Sequence, residues 1–174
     1  MHQAAGAIES TQREREDKAI DYVFKLLDIP WWCYAIATLI GIVVWKTWRW
    51  EGGILSAYTF LVLAETIFIR QPFIGQHFQP QLFWSWRVWA VQKEQILTNV
   101  IMFVPIGVLA GLILRWKGLW VATGLSLGIE ILQLVTSKGL CEFDDVIHNM
   151  MGAVIGIGIV MIGNIFVRKE DCKW

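Results

Sequence analysis

Apolar positions along the chain fall into five long runs that follow a polar start. Residues 1–29 are the polar part, and within them "TQRE" (Thr11 to Glu14) matches a capping box, in which the Thr and Glu side chains satisfy amides at a helix start. Ile20, Val23, Phe24 and Leu27 then recur at i, i+3, i+4 and i+7, a single apolar stripe. The pattern predicts an amphipathic helix lying on the bilayer surface or against a bundle, and Pro30 ends it. The first run, "WWCYAIATLIGIVVWKTW" (31–48), has 18 residues. At 1.5 Å per residue that is about 27 Å, enough to span a membrane. The others cover 53–69, 96–114, 119–136 and 146–167. Between the second and third lies a 26-residue connection with "PQLFWSWRVWAVQKEQ", whose Trp and Phe side chains suit the membrane interface. Fold class follows: all-α, a polytopic membrane helix bundle of about five transmembrane helices plus the N-terminal amphipathic helix. Gly107 and Gly111, Gly124 and Gly128, and Gly152 and Gly156 have the small-xxx-small spacing that lets helix backbones approach closely in lipid.

Composition sharpens this picture. Of 174 residues 56% are hydrophobic, only 17% are charged, and 11 are tryptophan. A soluble domain carries about a quarter charged residues. Formal net charge is zero, so no basic field would attract nucleic acid. Cys33, Cys141 and Cys172 are widely spaced and odd in number, which gives neither a disulfide framework nor a zinc pattern. The acid-rich start is unlike a cleaved signal peptide, so insertion is expected to use the first spanning helix.

Cation counts differ by only one between the two sides. Lys46, Arg49, Arg115, Lys117, Arg168, Lys169 and Lys173 are seven on one; Arg13, Arg15, Lys18, Lys25, Arg70, Arg87, Lys93 and Lys138 are eight on the other. The seven lie in short segments hard against helix ends, and this density places them in the cytoplasm, with the polar cluster at 138–145 outside.

Polar residues inside the runs are the candidate chemistry. Glu130 lies within the fourth run, where a carboxylate costs about 2.5–3.5 kcal/mol to insert. Ser126, Glu130 and Gln133 are spaced i, i+4, i+7 and share one helix face. That face reads either as helix glue through a protonated Glu or as a functional site, and intramembrane carboxylates favour the second. Glu142, Asp144 and Asp145 precede the fifth run. The two aspartates are good helix N-caps, but Asp145, Asn149, Gly152 and Gly156 step by four, three and four. A polar face therefore runs into a close-packing glycine face and points into the bundle. His148, off that face, reads as an interfacial hydrogen-bonder rather than a ligand. In the third run Pro105 should kink the helix and free a carbonyl one turn earlier, and Asn99 lies near its outer end. Glu65 and Arg70 read as a surface ion pair.

Three blocks of these residues resemble a known family. Asn99, Phe103, Pro105 and Gly107 stand in N-x-x-x-F-x-P-x-G; Ser126, Ile129, Glu130 and Gln133 in S-x-x-I-E-x-x-Q; Asp145, Asn149, Gly152 and Gly156 in D-x-x-x-N-x-x-G-x-x-x-G. In this order and spacing they are similar to the VanZ-like family, whose founding members give low-level resistance to the glycopeptide teicoplanin. The resemblance implies a role in a bacterial cell membrane and supplies no reaction. Where that family has an Arg shortly before the acidic block this chain has Lys138, which keeps the charge but loses the bidentate fork. Domain organisation then reads as an amphipathic segment at 1–30, an additional transmembrane helix at 31–52 and a VanZ-like transmembrane domain at 53–174.

Three functions compete. The first is a non-enzymatic membrane protein that binds a lipid-linked cell-wall intermediate or lipid-tailed glycopeptide at a polar pocket open to the outer leaflet. Asn99, Ser126, Glu130, Gln133, Lys138, Glu142, Asp144, Asp145 and Asn149 would read the headgroup, and Pro105, Gly107, Gly152 and Gly156 would set the helix packing. Membrane lipids are the expected partners, a homodimer stays open, and no cofactor or metal is expected. The second is a membrane-embedded, metal-dependent enzyme acting on a lipid phosphate or cell-wall lipid intermediate. Against it, adjacent Asp144 and Asp145 point about 100° apart on a helix, and the D-x-x-D and His–Arg signatures of lipid-phosphate enzymes are missing. The third, a proton-coupled carrier using Glu130 as relay, lacks the paired halves typical of carriers.

Overall fold

A computed structural model describes residues 29–72, 74–75 and 77–171. The amphipathic helix expected near residues 11–29 falls almost wholly outside the described residues. Each of the five apolar runs forms a helix. Directly after Pro30 comes α1 (Trp31–Thr47), followed by α2 (Trp50–Leu63), which passes into a π-helical turn at Ala64–Phe68. A short α3 (Trp84–Arg87) leads into α4 (Trp89–Leu114). A 3₁₀ turn at Arg115–Lys117 joins α4 to α5 (Gly118–Thr136), and α6 (Phe143–Asp171) closes the described chain. Two two-residue strands, β1 (Phe78–Gln79) and β2 (Cys141–Glu142), pair in parallel with Phe78 opposite Cys141, joining the loop after α2 to the connection before α6. Among the described residues, three helical stretches are long and apolar enough to cross a membrane: Trp50–Phe68, Trp89–Thr136 and Phe143–Asn164. The middle one, 48 residues long, contains both α4 and α5. α1 has 17 residues and is apolar but shorter.

Small residues decide which helices touch. α1 and α2 meet at Gly41 and Gly53, where a Cβ on Gly53 would lie 2.6 Å from the Gly41 carbonyl oxygen. α4 and α6 are pressed closest. A side chain on Gly152 would collide with the Val100 carbonyl, one on Gly156 with the Val104 carbonyl, and one on Gly107 with Ala153. Backbone contact of this kind is what holds helices together in lipid, where apolar side chains gain little from leaving a hydrocarbon solvent. Gly124 and Gly128 share the same spacing, yet nothing lies within 4 Å of a Cβ added at either. Their face of α5 is open, which corrects the expectation that they pack helices in the same way. Gly118 fits against Ala110, so α5 turns back along α4 immediately after the 3₁₀ turn. Phe103, Ile106, Ala122, Ile129 and Ala153 form the core among α4, α5 and α6, with Val62 and Ile67 added from α2 and its π turn.

Pro105 lies inside α4. The carbonyl it frees is that of Ile101, four residues earlier; the Tyr58 hydroxyl on α2 donates at 3.1 Å to the next carbonyl, that of Met102.

Candidate functional site

The π turn, the start of α4, the end of α5 and the start of α6 meet at one end of the bundle and line a half-open cavity of about 410 Å³. That volume suits a small-molecule ligand. Glu65, Thr66, Ile69 and Arg70 contribute from the π turn and its exit, and Gln95, Thr98, Asn99 and Met102 from α4. Ile129, Glu130 and Gln133 line it from α5, Asp145 and Asn149 from α6. Five of the candidate residues, Asn99, Glu130, Gln133, Asp145 and Asn149, are thus brought together from three helices.

Hydrogen bonds fix most of them. The Gln95 side-chain amide donates to both Asp145 oxygens at 3.3 and 3.0 Å. Glu130 Oε2 accepts the backbone N–H of Glu142 at 2.9 Å. Asn149 Nδ2 donates to Ser126 Oγ at 2.9 Å, and Gln133 Nε2 to the Thr66 carbonyl at 3.4 Å. Each carboxamide is held by one end. The other end of the last two, Asn149 Oδ1 and Gln133 Oε1, is buried with no partner, as is Asn99 Nδ2. Unpaired buried polar atoms are uncommon in a folded chain; of the seven among the described residues, these three belong to cavity residues.

Four other candidates stand beside the cavity rather than in its lining. Ser126 is fully buried and orients Asn149. Lys138 donates from Nζ to the Phe68 carbonyl at 3.0 Å, closing the end of the π turn. That single-donor contact needs no guanidinium fork. Asp144 takes three bonds from the loop around α3: the N–H of Phe83 at 2.6 Å, and the N–H and Oγ of Ser85 at 2.9 and 2.7 Å. It supplies the cap that α3, which starts after a left-handed Phe83 at φ 60°, lacks from its own residues. Glu142 is buried, with Oε2 unpaired. Burial, then the charge of Asp145, push its carboxyl up to about 7.

His148 is fully buried, not exposed at an interface. Its Nε2 accepts the indole N–H of Trp86 at 2.8 Å, and its Nδ1 lies 3.8 Å from Asp145 Oδ1. Glu65 and Arg70, expected to pair at the surface, both line the cavity.

Gln95, Thr66, Ser85 and Trp86 were missed by sequence reasoning. Gln95 was findable: it precedes Asn99 by four residues and so shares its face once α4 is extended back to Trp89. Nothing in the sequence pairs Ser85 with Asp144, 59 residues away. Among the described residues no group of three or more His, Cys, Asp or Glu side chains could hold a metal ion.

The three motif blocks therefore converge on one cavity and on the tight α4–α6 contact behind it. No curated protein and no solved structure matches the chain. A family model described as VanZ/LLP1 matches residues 31–166, most of the sequence, α1 included. This chain is a membrane protein that belongs to the VanZ/LLP1 family.

Proposed function

We propose that the protein is a multi-pass component of a bacterial cell membrane that contributes to glycopeptide resistance. It binds a lipid-linked or lipid-tailed ligand, such as teicoplanin, in the cavity between the π turn, α4, α5 and α6. One observation carries this reading: Asn99, Gln133 and Asn149, on three different helices, each keep a buried polar atom unpaired at a single cavity. A packing role would have paired those atoms with one another, because leaving each unmade costs about 1–3 kcal/mol. A ligand with its own donors and acceptors satisfies them. The cavity lies at helix ends, level with the exposed Trp31, Trp32, Trp86 and Trp89, residues suited to the headgroup region. A ligand could thus keep its tail in lipid and its polar part between the helices. In the orientation given by the cation-dense short loops, this end faces the outer leaflet.

The test is resistance itself. In a teicoplanin-sensitive host made less sensitive by expression of this chain, Glu130→Ala or Asp145→Ala returns sensitivity at unchanged membrane abundance. Full retention of resistance by both variants refutes the site.

A further inference from the structure

The lining of the cavity is unbalanced in a way that says what part of a ligand it grips. Glu130 and Asp145 are 4% and 8% exposed, and both line it. Their hydrogen-bond partners are neutral: the backbone N–H of Glu142 for one, the Gln95 amide for the other. Among the described residues no Lys or Arg forms an ion pair with either. The imidazole near Asp145 is already engaged through Nε2 with the Trp86 N–H. Two buried carboxyl groups share a half-open site in which Arg70, exposed at the rim, is the one cation among the lining residues. A ligand that brings a cation between the two carboxyls offsets the cost of holding them together.

A second observation points the same way. Asn149, 2% exposed, has committed its N–H₂ to Ser126 and keeps a bare oxygen; Gln133, 3% exposed, has done likewise with Thr66. These are acceptors without donors, the complement of an ammonium group, which has three donors and no acceptor. The remaining lining has the opposite character. Arg70 lies exposed at the rim, while Asn99 Nδ2 is a buried donor without an acceptor. A space of about 410 Å³ is also far larger than one ammonium ion needs.

Resting on the reading of this cavity as a ligand site, we propose that it recognises a protonated organic amine carried beside an acceptor group such as a phosphate. The amine is held by Glu130, Asp145 and the Asn149 oxygen, and the acceptor by Arg70 and Asn99. The chemistry is that of an aminated lipid headgroup or of a free aminophosphate.

Binding to the purified full chain in detergent tests this with three probes: a short-chain phosphatidylethanolamine, its N-acetyl derivative, and O-phosphoethanolamine. The expected result is that the lipid binds, that N-acetylation weakens it at least tenfold, and that Glu130→Gln and Asp145→Asn weaken the parent lipid similarly. Their unliganded melting temperatures should stay near wild type, and a variant that fails to fold leaves the acetylation comparison to decide. O-phosphoethanolamine binding as tightly as the lipid supports the amine and assigns it to a soluble source; much weaker binding supports the amine on a lipid. Equal affinity for the lipid and its N-acetyl form, with loss in Glu130→Gln, overturns the amine and leaves the cavity as a ligand site. No binding of any probe to the wild type overturns the amine as well. Binding of lipid and N-acetyl lipid that no cavity variant alters overturns both readings.

Discussion

The backbone N–H of Glu142 donates to the Glu130 carboxyl at 2.9 Å, so the segment that enters α6 is tied to the α5 residue facing the cavity. One contact thereby couples the geometry of the α5–α6 connection to the lining of the candidate site. The β1–β2 bridge and the three bonds accepted by Asp144 draw the loop after α2 onto the same segment.

Asp144 is expected to be structural. Asp144→Ala leaves the Phe83 and Ser85 N–H groups and the Ser85 hydroxyl without their acceptor, and should cost about 3 kcal/mol by the usual penalty for unmade buried hydrogen bonds. Thermal unfolding in detergent checks this. Ser85→Ala, which removes one of the three bonds, should cost about 1 kcal/mol.

The glycine faces should separate cleanly. Gly152→Ala and Gly156→Ala place a methyl against the Val100 and Val104 carbonyls and should destabilise by about 1–3 kcal/mol or more. Gly124→Ala and Gly128→Ala meet nothing, and by helix propensity should be neutral or stabilising by up to about 1 kcal/mol. Melting temperatures of the four variants measured side by side decide it.

Glu142 sets a pH dependence. Its carboxyl rises from an ordinary 4.5 to about 7 in the fold, because burial and the Asp145 charge disfavour the ionised form. The folded state therefore binds the proton more tightly than the unfolded chain. This contribution to stability is fully present below about pH 4.5 and is lost as pH rises through about 7. Glu142→Gln should flatten the decline over that window and leave the protein more stable than wild type at pH 8. A melting-temperature profile that keeps its slope in the variant contradicts the assignment.

The Trp86–His148 bond positions a ring next to Asp145. Trp86→Phe keeps the aromatic contact and leaves His148 Nε2 unpaired, at a cost of about 1–3 kcal/mol. Its effect on ligand affinity should be smaller than that of Asp145→Asn, as titration of both variants would show.

Much of this arrangement was legible in the sequence because helical periodicity constrains it directly. The four-three-four step from Asp145 to Gly156 fixes one α6 face, and the structure packs the two glycines of that face against α4 while Asp145 and Asn149 line the cavity. At the start of α4 apolarity begins at Ile96 while the helix begins at Trp89, so the hydropathy pattern alone leaves Gln95 outside it. Gly124 and Gly128 show the converse limit: spacing identifies a face able to pack closely, not which helix is there to meet it. Asp144 differs from Asp145 by one residue, hence by about 100°, and that rotation sends it to α3 instead of the cavity. Its partners lie about sixty residues away in a loop with no periodicity to read.

The central claim is that carboxyls and carboxamides of α4, α5 and α6 line one space that a ligand occupies. Thr98 lines that space and is partly exposed, so its replacement by cysteine reports directly on occupancy. With Cys33, Cys141 and Cys172 replaced by Ala in the Thr98→Cys protein, in nanodiscs, the rate of alkylation by a water-soluble maleimide is measured with and without teicoplanin. Teicoplanin should slow it at least tenfold, and the protection should vanish in Asp145→Asn. A rate unchanged by saturating teicoplanin contradicts the account.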